Sequence, residues 1–220
     1  VSFQLQLHTD QLAPKSEMAL AAAIRVIYVR DGDVVIRADG QAAGLGADSA
    51  WHGSNQGRIA AGTSGAILWR WELLPQRRTP PVSPAGAGVA SSVTLSRPVE
   101  LSESGGYLVR CDRVNFPPGG IAYTHVHRGP GIRRLLEGSL RVEVNGAGHD
   151  IAPGEAWFEA GPDPVLATAS KTVPSAFTRV MVLPREMLGK PSVRYLRPED
   201  ADKPKLQTYR VFVDDPIELP

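Results

Sequence analysis

The sequence predicts an all-β protein, a sandwich or barrel assembled from two copies of one β unit. Three observations carry that prediction. Roughly ten short segments rich in Val, Ile, Leu and aromatic residues are separated by Gly and Pro turns. Gly (22) and Pro (19) are abundant among 220 residues, and no strongly amphipathic helical stretch stands between them. The chain also matches itself at one offset. Asp31-Gly32 falls on Glu137-Gly138, Asp39-Gly40 on Asn145-Gly146, Leu45 on Ile151 and Ala50-Trp51 on Ala156-Trp157, all 106 residues apart. With three further residues inserted, Trp71-Glu72-Leu73-Leu74-Pro75 falls on Val180-Met181-Val182-Leu183-Pro184.

Composition narrows the function classes. A formal net charge of +1, spread along the chain, gives no electrostatic case for nucleic acid or an anionic membrane. No apolar run approaches the roughly 20 residues a membrane helix needs. Cys111 is the single cysteine, so an intramolecular disulfide is excluded and the redox compartment stays open, with the cytoplasm as default expectation. The chain begins at Val1 rather than Met, which leaves a removed targeting segment open.

In the first half, residues 1–7 alternate and read as a strand. Residues 17–23 have good helix propensity, but the repeat sets them on a strand of the second half, so a strand is expected. Residues 24–29 are strand-like, Asp31-Gly32 reads as a hairpin turn, residues 34–37 return, and Asp39-Gly40 turns again. Residues 66–73 close the half as a strand. The offset puts Ala19 on His125 and Ala21 on His127, so the first copy is expected to hold no metal and to cover or complete the second. His8 and His52 read as ordinary histidines.

The expected organisation is a first copy over 1–84, a linker with lead-in strands over 85–106, and a second copy with a tail over 107–220. Residues 77–88 are rich in Pro and Gly and read as an extended connection, with polyproline geometry at Pro80-Pro81. Residues 92–95 and 99–101 read as short strands.

The second copy carries the chemistry. Residues 107–114 form a strand, and Phe116-Pro117-Pro118-Gly119-Gly120 turns it back. On the next strand His125 and His127 lie two apart, so both imidazoles project from one face, as two ligands of one ion must. Gly129-Pro130-Gly131 turns the chain into residues 132–136. Residues 140–144 lead to the Asn145-Gly146 hairpin, and 177–183 form the last strong strand. His149 reads as solvent-exposed. In the polar tail, residues 207–213 can add a strand to either copy or to a partner chain, as in a homodimer.

Residues 119–138 resemble the first motif of the cupin superfamily: Gly, five residues, His-x-His, three or four residues, Glu, six residues, Gly. Gly119, His125, His127 and Gly138 match, while the Glu position holds Gly131. The stretch from Gly154 resembles the second motif, with Ala160 at its Pro position, Val165 at its His position and Ala169 at its Asn position. The resemblance implies two jelly-roll barrels, a degenerate one and one with a partial metal site. It also implies one divalent ion (Fe, Mn, Ni or Zn) bound to three histidines and a glutamate, of which His125 and His127 remain.

Glu159 and Asp163 are the carboxylates that can complete such a site, since both lie beside the vacant ligand position. If the two imidazoles face the barrel interior, strand parity sets Tyr123, Gly131 and Arg133 on the same face. Tyr123 is then a candidate acid or base. Arg133 is a candidate for catalysis or for holding an anionic substrate in a fork, with Glu159 as its alternative partner. Trp157 is a further substrate-binding candidate, and Arg179 and Arg110 are weaker ones because their strand parity is not pinned. Gly131 in place of glutamate is expected to leave open volume. Two function classes follow. One is a metal-dependent enzyme of dioxygenase, isomerase or lyase type acting on a small oxygen-rich, anionic substrate. The other is a non-catalytic cupin that binds a small molecule.

Overall fold

The computed structural model describes residues 1–76, 86–102 and 105–220. Contacts divide the chain into two units, Val1–Glu103 with Pro220, and Ser104–Leu219. Among the described residues there are seventeen strands, and helix is limited to one 3-10 turn (Arg185–Met187) and α1 (Pro198–Asp202). The expected all-β class is what the chain adopts. Neither helix is long and apolar enough to cross a membrane.

The first unit contains β1 (Ser2–Leu12), β2 (Glu17–Leu20), β3 (Ile24–Ala38), β4 (Gln41–Gly46), β5 (Ser49–Gly53), β6 (Gly57–Pro75) and β7 (Val89–Glu100). They hydrogen-bond in the order β4-β3-β6-β1-β7, with β2 on β6 and β5 on β3. The long strands β3 and β6 serve two faces: Arg25 to Val29 pair with β5, and Asp33 to Ala38 with β4. Between the faces lies a core that includes Leu12, Met18, Leu20, Ile27, Ile59 and Leu68.

Three expectations change here. Asp31-Gly32 is not a hairpin turn but a bulge within β3, with Gly32 at φ +77° and register shifts on both sides. Residues 89–100 are one strand paired along all of β1, so this part of the expected linker belongs to the first unit's sheet. In β2, Met18 and Leu20 enter the core while Ala19 and Ala21 are exposed, and strand ends at Leu20. The polyproline expectation falls on residues 77–85, outside those described.

The second unit contains β8 (Tyr107–Phe116), β9 (Ile121–His127), β10 (Gly131–Glu137), β11 (Leu140–Val144), β12 (Ala147–Ile151), β13 (Ala156–Glu159), β14 (Val165–Ala169), β15 (Ser175–Pro184), β16 (Val193–Tyr195) and β17 (Thr208–Ile217). One sheet runs β13-β10-β15-β8-β17 and the other β12-β11-β14-β9-β16. The tail strand β17 pairs with β8 of its own unit. Phe116, Leu135, Leu140, Val142, Val165 and Phe177 are among the core residues, with the Trp157 ring 5.2 Å from that of Phe177.

The offset seen in the sequence reappears in the register. Ile27 faces Trp51 as Arg133 faces Trp157, and Val26 faces Trp71 as Ile132 faces Val180. Gly32 and Gly138 share a left-handed φ (+77° and +76°). A Cβ on either would lie 2.0 Å from Gly65 O or 2.2 Å from Pro174 O, so only glycine lets the facing turn approach.

Candidate functional site

β9 brings His125 and His127 into the second unit's interior, where they are 6% and 5% exposed. They share that face with Ala122 rather than Tyr123. Between Ala122 and His125 the pairing with β14 slips, so one extra residue reverses the parity. The Tyr123 ring instead lies beneath the ammonium groups of Lys203 and Lys205, at 4.7 and 5.7 Å, and does not line the cavity. Tyr123 contributes its carbonyl, 2.7 Å from His125 Nδ1.

The two Nε2 atoms stand 3.2 Å apart. His127 Nε2 is also 3.0 Å from Glu159 Oε2, and that oxygen lies 2.7 Å from Arg133 Nη2 in a close ion pair without full hydrogen-bond alignment. Trp157 Nε1 donates to Glu159 Oε1 at 2.8 Å. Glu159 reaches this point because β13 pairs with β10 so that Glu159 faces Gly131. Arg133 is 0% exposed and donates through Nη1 to the Gly131 carbonyl at 2.6 Å. The open volume expected at Gly131 is absent: a Cβ there would meet Val180 O at 2.6 Å and Arg133 Nη1 at 3.0 Å. Asp163 is not brought in. It accepts from Asn145 at 3.4 Å, beside the β11–β12 turn, and does not line the cavity.

Burial dominates the electrostatics. It pushes the His127 imidazole down to about 3 and lowers His125, against the Tyr123 carbonyl and Glu159. Burial alone would raise Glu159, but the Arg133 charge and the bonds from His127 and Trp157 hold it well below the usual carboxylate range. The Arg133 guanidinium is pulled down by burial to about 10, with Glu159 opposing. At neutral pH the cluster is therefore two neutral imidazoles, one carboxylate and one guanidinium. Below pH 6.5 an unfolded chain takes up imidazole protons that the folded barrel refuses, so stability is lost as pH falls toward about 3. The expected slope is at most about 1.4 kcal/mol per pH unit for each histidine. Urea midpoints between pH 7.5 and pH 4 should fall less steeply in His127→Gln, and an unchanged slope would mean His127 protonates freely in the fold.

A second ion pair adjoins this cluster. Arg179 Nε and Nη2 donate to Asp112 at 2.7 and 3.0 Å, both residues buried. Arg179 thus lines the cavity already bound to its own carboxylate. The cavity among these side chains is small, about 30 Å³. Arg179, Val193, Tyr195 and Tyr209 form a wall shared with a larger chamber of about 400 Å³. Arg110 also lines that chamber, bonded to Asp214 at 2.8 and 3.0 Å.

The sequence reading missed the first unit's counterpart. There Arg70 donates to Asp10 at 2.7 and 3.0 Å and lies 2.8 Å from Glu72, which accepts from Arg25 at 3.1 Å. All four are at most 3% exposed, and His8 Nε2 is 3.8 Å from Glu72. A signal was available. Arg70 stands 109 residues before Arg179, the same shift as the Trp71 match.

No protein-family model matches the chain, and no curated protein matches it in sequence. Solved structures do match. Bacillus subtilis oxalate decarboxylase aligns over 87% of this chain and 71% of its own, at 9% identity and a TM-score of 0.64. Salicylate 1,2-dioxygenase from Pseudaminobacter salicylatoxidans aligns over 94% and 74%, at 10% identity and 0.56. A cupin 2 conserved barrel domain protein from Leptotrichia buccalis aligns over 83% and 88%, at 15% identity and 0.50. The chain has the cupin fold. At such identities the likeness is one of fold, and function must be argued from the site.

The oxalate decarboxylase contains Mn(II) centres. The second cupin unit here does not fit such an ion as its side chains stand. Val165, which the motif resemblance sets at the histidine position, stands opposite His125. Among the described residues no group of three or more His, Cys, Asp or Glu is disposed to hold a metal. The carboxylate oxygen nearest the imidazoles is already shared with Arg133. The protons also close without an ion. His125 Nδ1–H donates to Tyr123 O, and His127 Nε2–H donates to the bare His125 Nε2 at 3.2 Å, with Glu159 Oε2 3.0 Å away. A metal on both Nε2 atoms would move the His127 proton to Nδ1, a buried atom with no protein partner.

Proposed function

We propose that this chain is a small-molecule-binding cupin whose ligand occupies the chamber beside β16 and β17. One observation carries the reading: the 400 Å³ chamber shares Arg179, Val193, Tyr195 and Tyr209 with the histidine cavity, so a bound molecule abuts a wall common to both. The anionic preference expected at Arg133 does not arise, because Glu159 neutralises it. The chamber's buried guanidiniums are likewise answered, Arg179 by Asp112 and Arg110 by Asp214, while Lys190 stands exposed at the rim. Pro191, Val193, Tyr195, Tyr209 and Val211 supply apolar and aromatic walls. An uncharged, ring-bearing molecule with a hydroxyl or carbonyl suits these walls better than a free carboxylate, whose desolvation no unmatched buried cation offsets.

The test is titration with 2-naphthol and 2-naphthoate, followed by ligand-observed NMR. We expect naphthol to bind about tenfold or more tightly than naphthoate, and Val193→Trp to weaken naphthol by at least about tenfold. Tighter binding of naphthoate, or indifference to Val193→Trp, would sink the reading.

A metal-dependent enzyme is the second reading. The convergence of two Nε2 atoms at 3.2 Å favours it, as does the Tyr123 carbonyl that orients His125. It requires Glu159 to leave Arg133. Iron, manganese, nickel or zinc at about one per purified chain, lost in His125→Ala/His127→Ala, is what it demands.

A further inference from the structure

The geometry points to Arg133 as a resident substitute for a metal cation in the second barrel, with a latent His125–His127–Glu159 ion site beneath its guanidinium. This goes beyond the ligand reading and does not depend on it.

Placement comes first. Glu159 Oε2 lies 3.0 Å from His127 Nε2 and 2.7 Å from Arg133 Nη2, so one oxygen faces the His127 imidazole and the guanidinium. Donor atoms about 3 Å apart suit ligands that each sit about 2.1 Å from a shared ion. The His125–His127 separation of 3.2 Å is of the same size. What a metal would take from Glu159 is what Arg133 already holds.

The room for Arg133 comes from Gly131. A Cβ at that position would stand 3.0 Å from Arg133 Nη1 and 2.6 Å from Val180 O. A side chain at 131 would therefore collide with the β15 backbone and press on the present Arg133 guanidinium. The carboxylate is instead supplied across the strand pair by Glu159, directly opposite Gly131. A glycine on β10, a carboxylate opposite it on β13 and a guanidinium bound to that carboxylate form one consistent arrangement.

Charge gives the third argument. Arg133 and Arg179 are matched by Glu159 and Asp112, all at most 6% exposed. A divalent ion added to this set would bring two uncompensated charges into a dry interior. Removing Arg133 leaves one negative charge in surplus beside two imidazoles, which invites a cation. The first barrel has reached the same balance without a histidine pair: Arg25 and Arg70 are matched by Glu72 and Asp10. Arg25 stands 106 residues before Gly131, so the two copies set a guanidinium at closely related places.

The experiment uses Co(II) as the probe. Full-length protein and Arg133→Met are loaded with Co(II) and dialysed, then assayed for cobalt per chain and for visible absorption. Wild type should retain less than about 0.1 ion per chain and Arg133→Met about one, lost again when His125→Ala is added. Arg133→Lys should behave as wild type. Circular dichroism establishes that each variant is folded, and Arg133→Gln replaces Arg133→Met if the latter is not. Imidazole nitrogen NMR of the wild type adds a readout that needs no variant: His125 should carry its proton on Nδ1 and His127 on Nε2. Stoichiometric metal in the wild type, bare Nε2 atoms on both rings, or folded Arg133 variants that hold no more cobalt than the parent would each overturn the proposal.

Discussion

Asp112→Ala is expected to destabilise the second unit by about 3–5 kcal/mol, the cost of leaving a buried guanidinium without its counter-ion. Asp112 and Arg179 are 2% and 4% exposed, paired through two hydrogen bonds of 2.7 and 3.0 Å. They face each other on neighbouring strands, β8 and β15, so strand register holds the two groups together. The Tyr209 ring, 5.8 Å from the Arg179 guanidinium, cannot replace a full negative charge. Removing both charges should restore most of the loss, since Asp112→Leu/Arg179→Met leaves no uncompensated ion. Urea unfolding of 5-fluorotryptophan protein checks this. Trp157 is the single tryptophan after residue 104, so its fluorine signal reports the second unit separately from Trp51, Trp69 and Trp71. A double variant as unstable as Asp112→Ala would show that packing around the pair, rather than the stranded charge, sets the cost.

This pair also shows where the sequence stopped speaking. The repeat was legible because its markers are backbone demands: Gly32 and Gly138 need a left-handed φ, and Asp39-Gly40 and Asn145-Gly146 need two in succession. Such demands survive wide divergence of side chains. Strand alternation set His125 and His127 on one face, and with that face turned inward Arg133 joined them. Tyr123 did not, because a slip of one residue in β9 reverses parity and leaves no mark in composition. Asp31-Gly32 read as a hairpin because a turn and a bulge ask for the same glycine; only the continued pairing of β3 with β6 separates them. Glu159 was legible as a spare carboxylate beside the histidines. Its commitment to Arg133 depends on β13 meeting β10 with Glu159 opposite Gly131, a long-range register that local patterns do not encode. For the same reason the Asp10–Arg70–Glu72–Arg25 network stayed hidden: its members come from three strands and look like surface charges until β1, β3 and β6 pair.

Gly138→Ala is expected to cost more than about 3 kcal/mol, whereas Gly146→Ala should cost only about 1 kcal/mol, although both positions are left-handed. The φ values are nearly equal, +76° and +82°. Backbone strain alone therefore predicts similar penalties of about 1 kcal/mol for the two. The difference lies in what a methyl group meets. At Gly146, at the tip of the β11–β12 hairpin, nothing lies within 4 Å. At Gly138 the chain leaves β10 for β11 and so passes from one sheet to the other, and a Cβ would stand 2.2 Å from Pro174 O and 2.4 Å from Ser175 Oγ. Ser175 cannot simply turn aside, because its hydroxyl bridges Ser139 O and Ser139 N at 2.8 and 3.1 Å. Relief would require the turn before β15 to retreat, drawing Phe177 and Arg179 with it and loosening the wall of the histidine cavity. Gly32→Ala should behave like Gly138→Ala, since its Cβ would lie 2.0 Å from Gly65 O at the corresponding crossing of the first unit. Urea midpoints of the three variants decide the matter. Equal, small losses at Gly138 and Gly146 would mean that the sheet crossing yields easily, and that the spacing shared by the two copies is not held by close backbone approach.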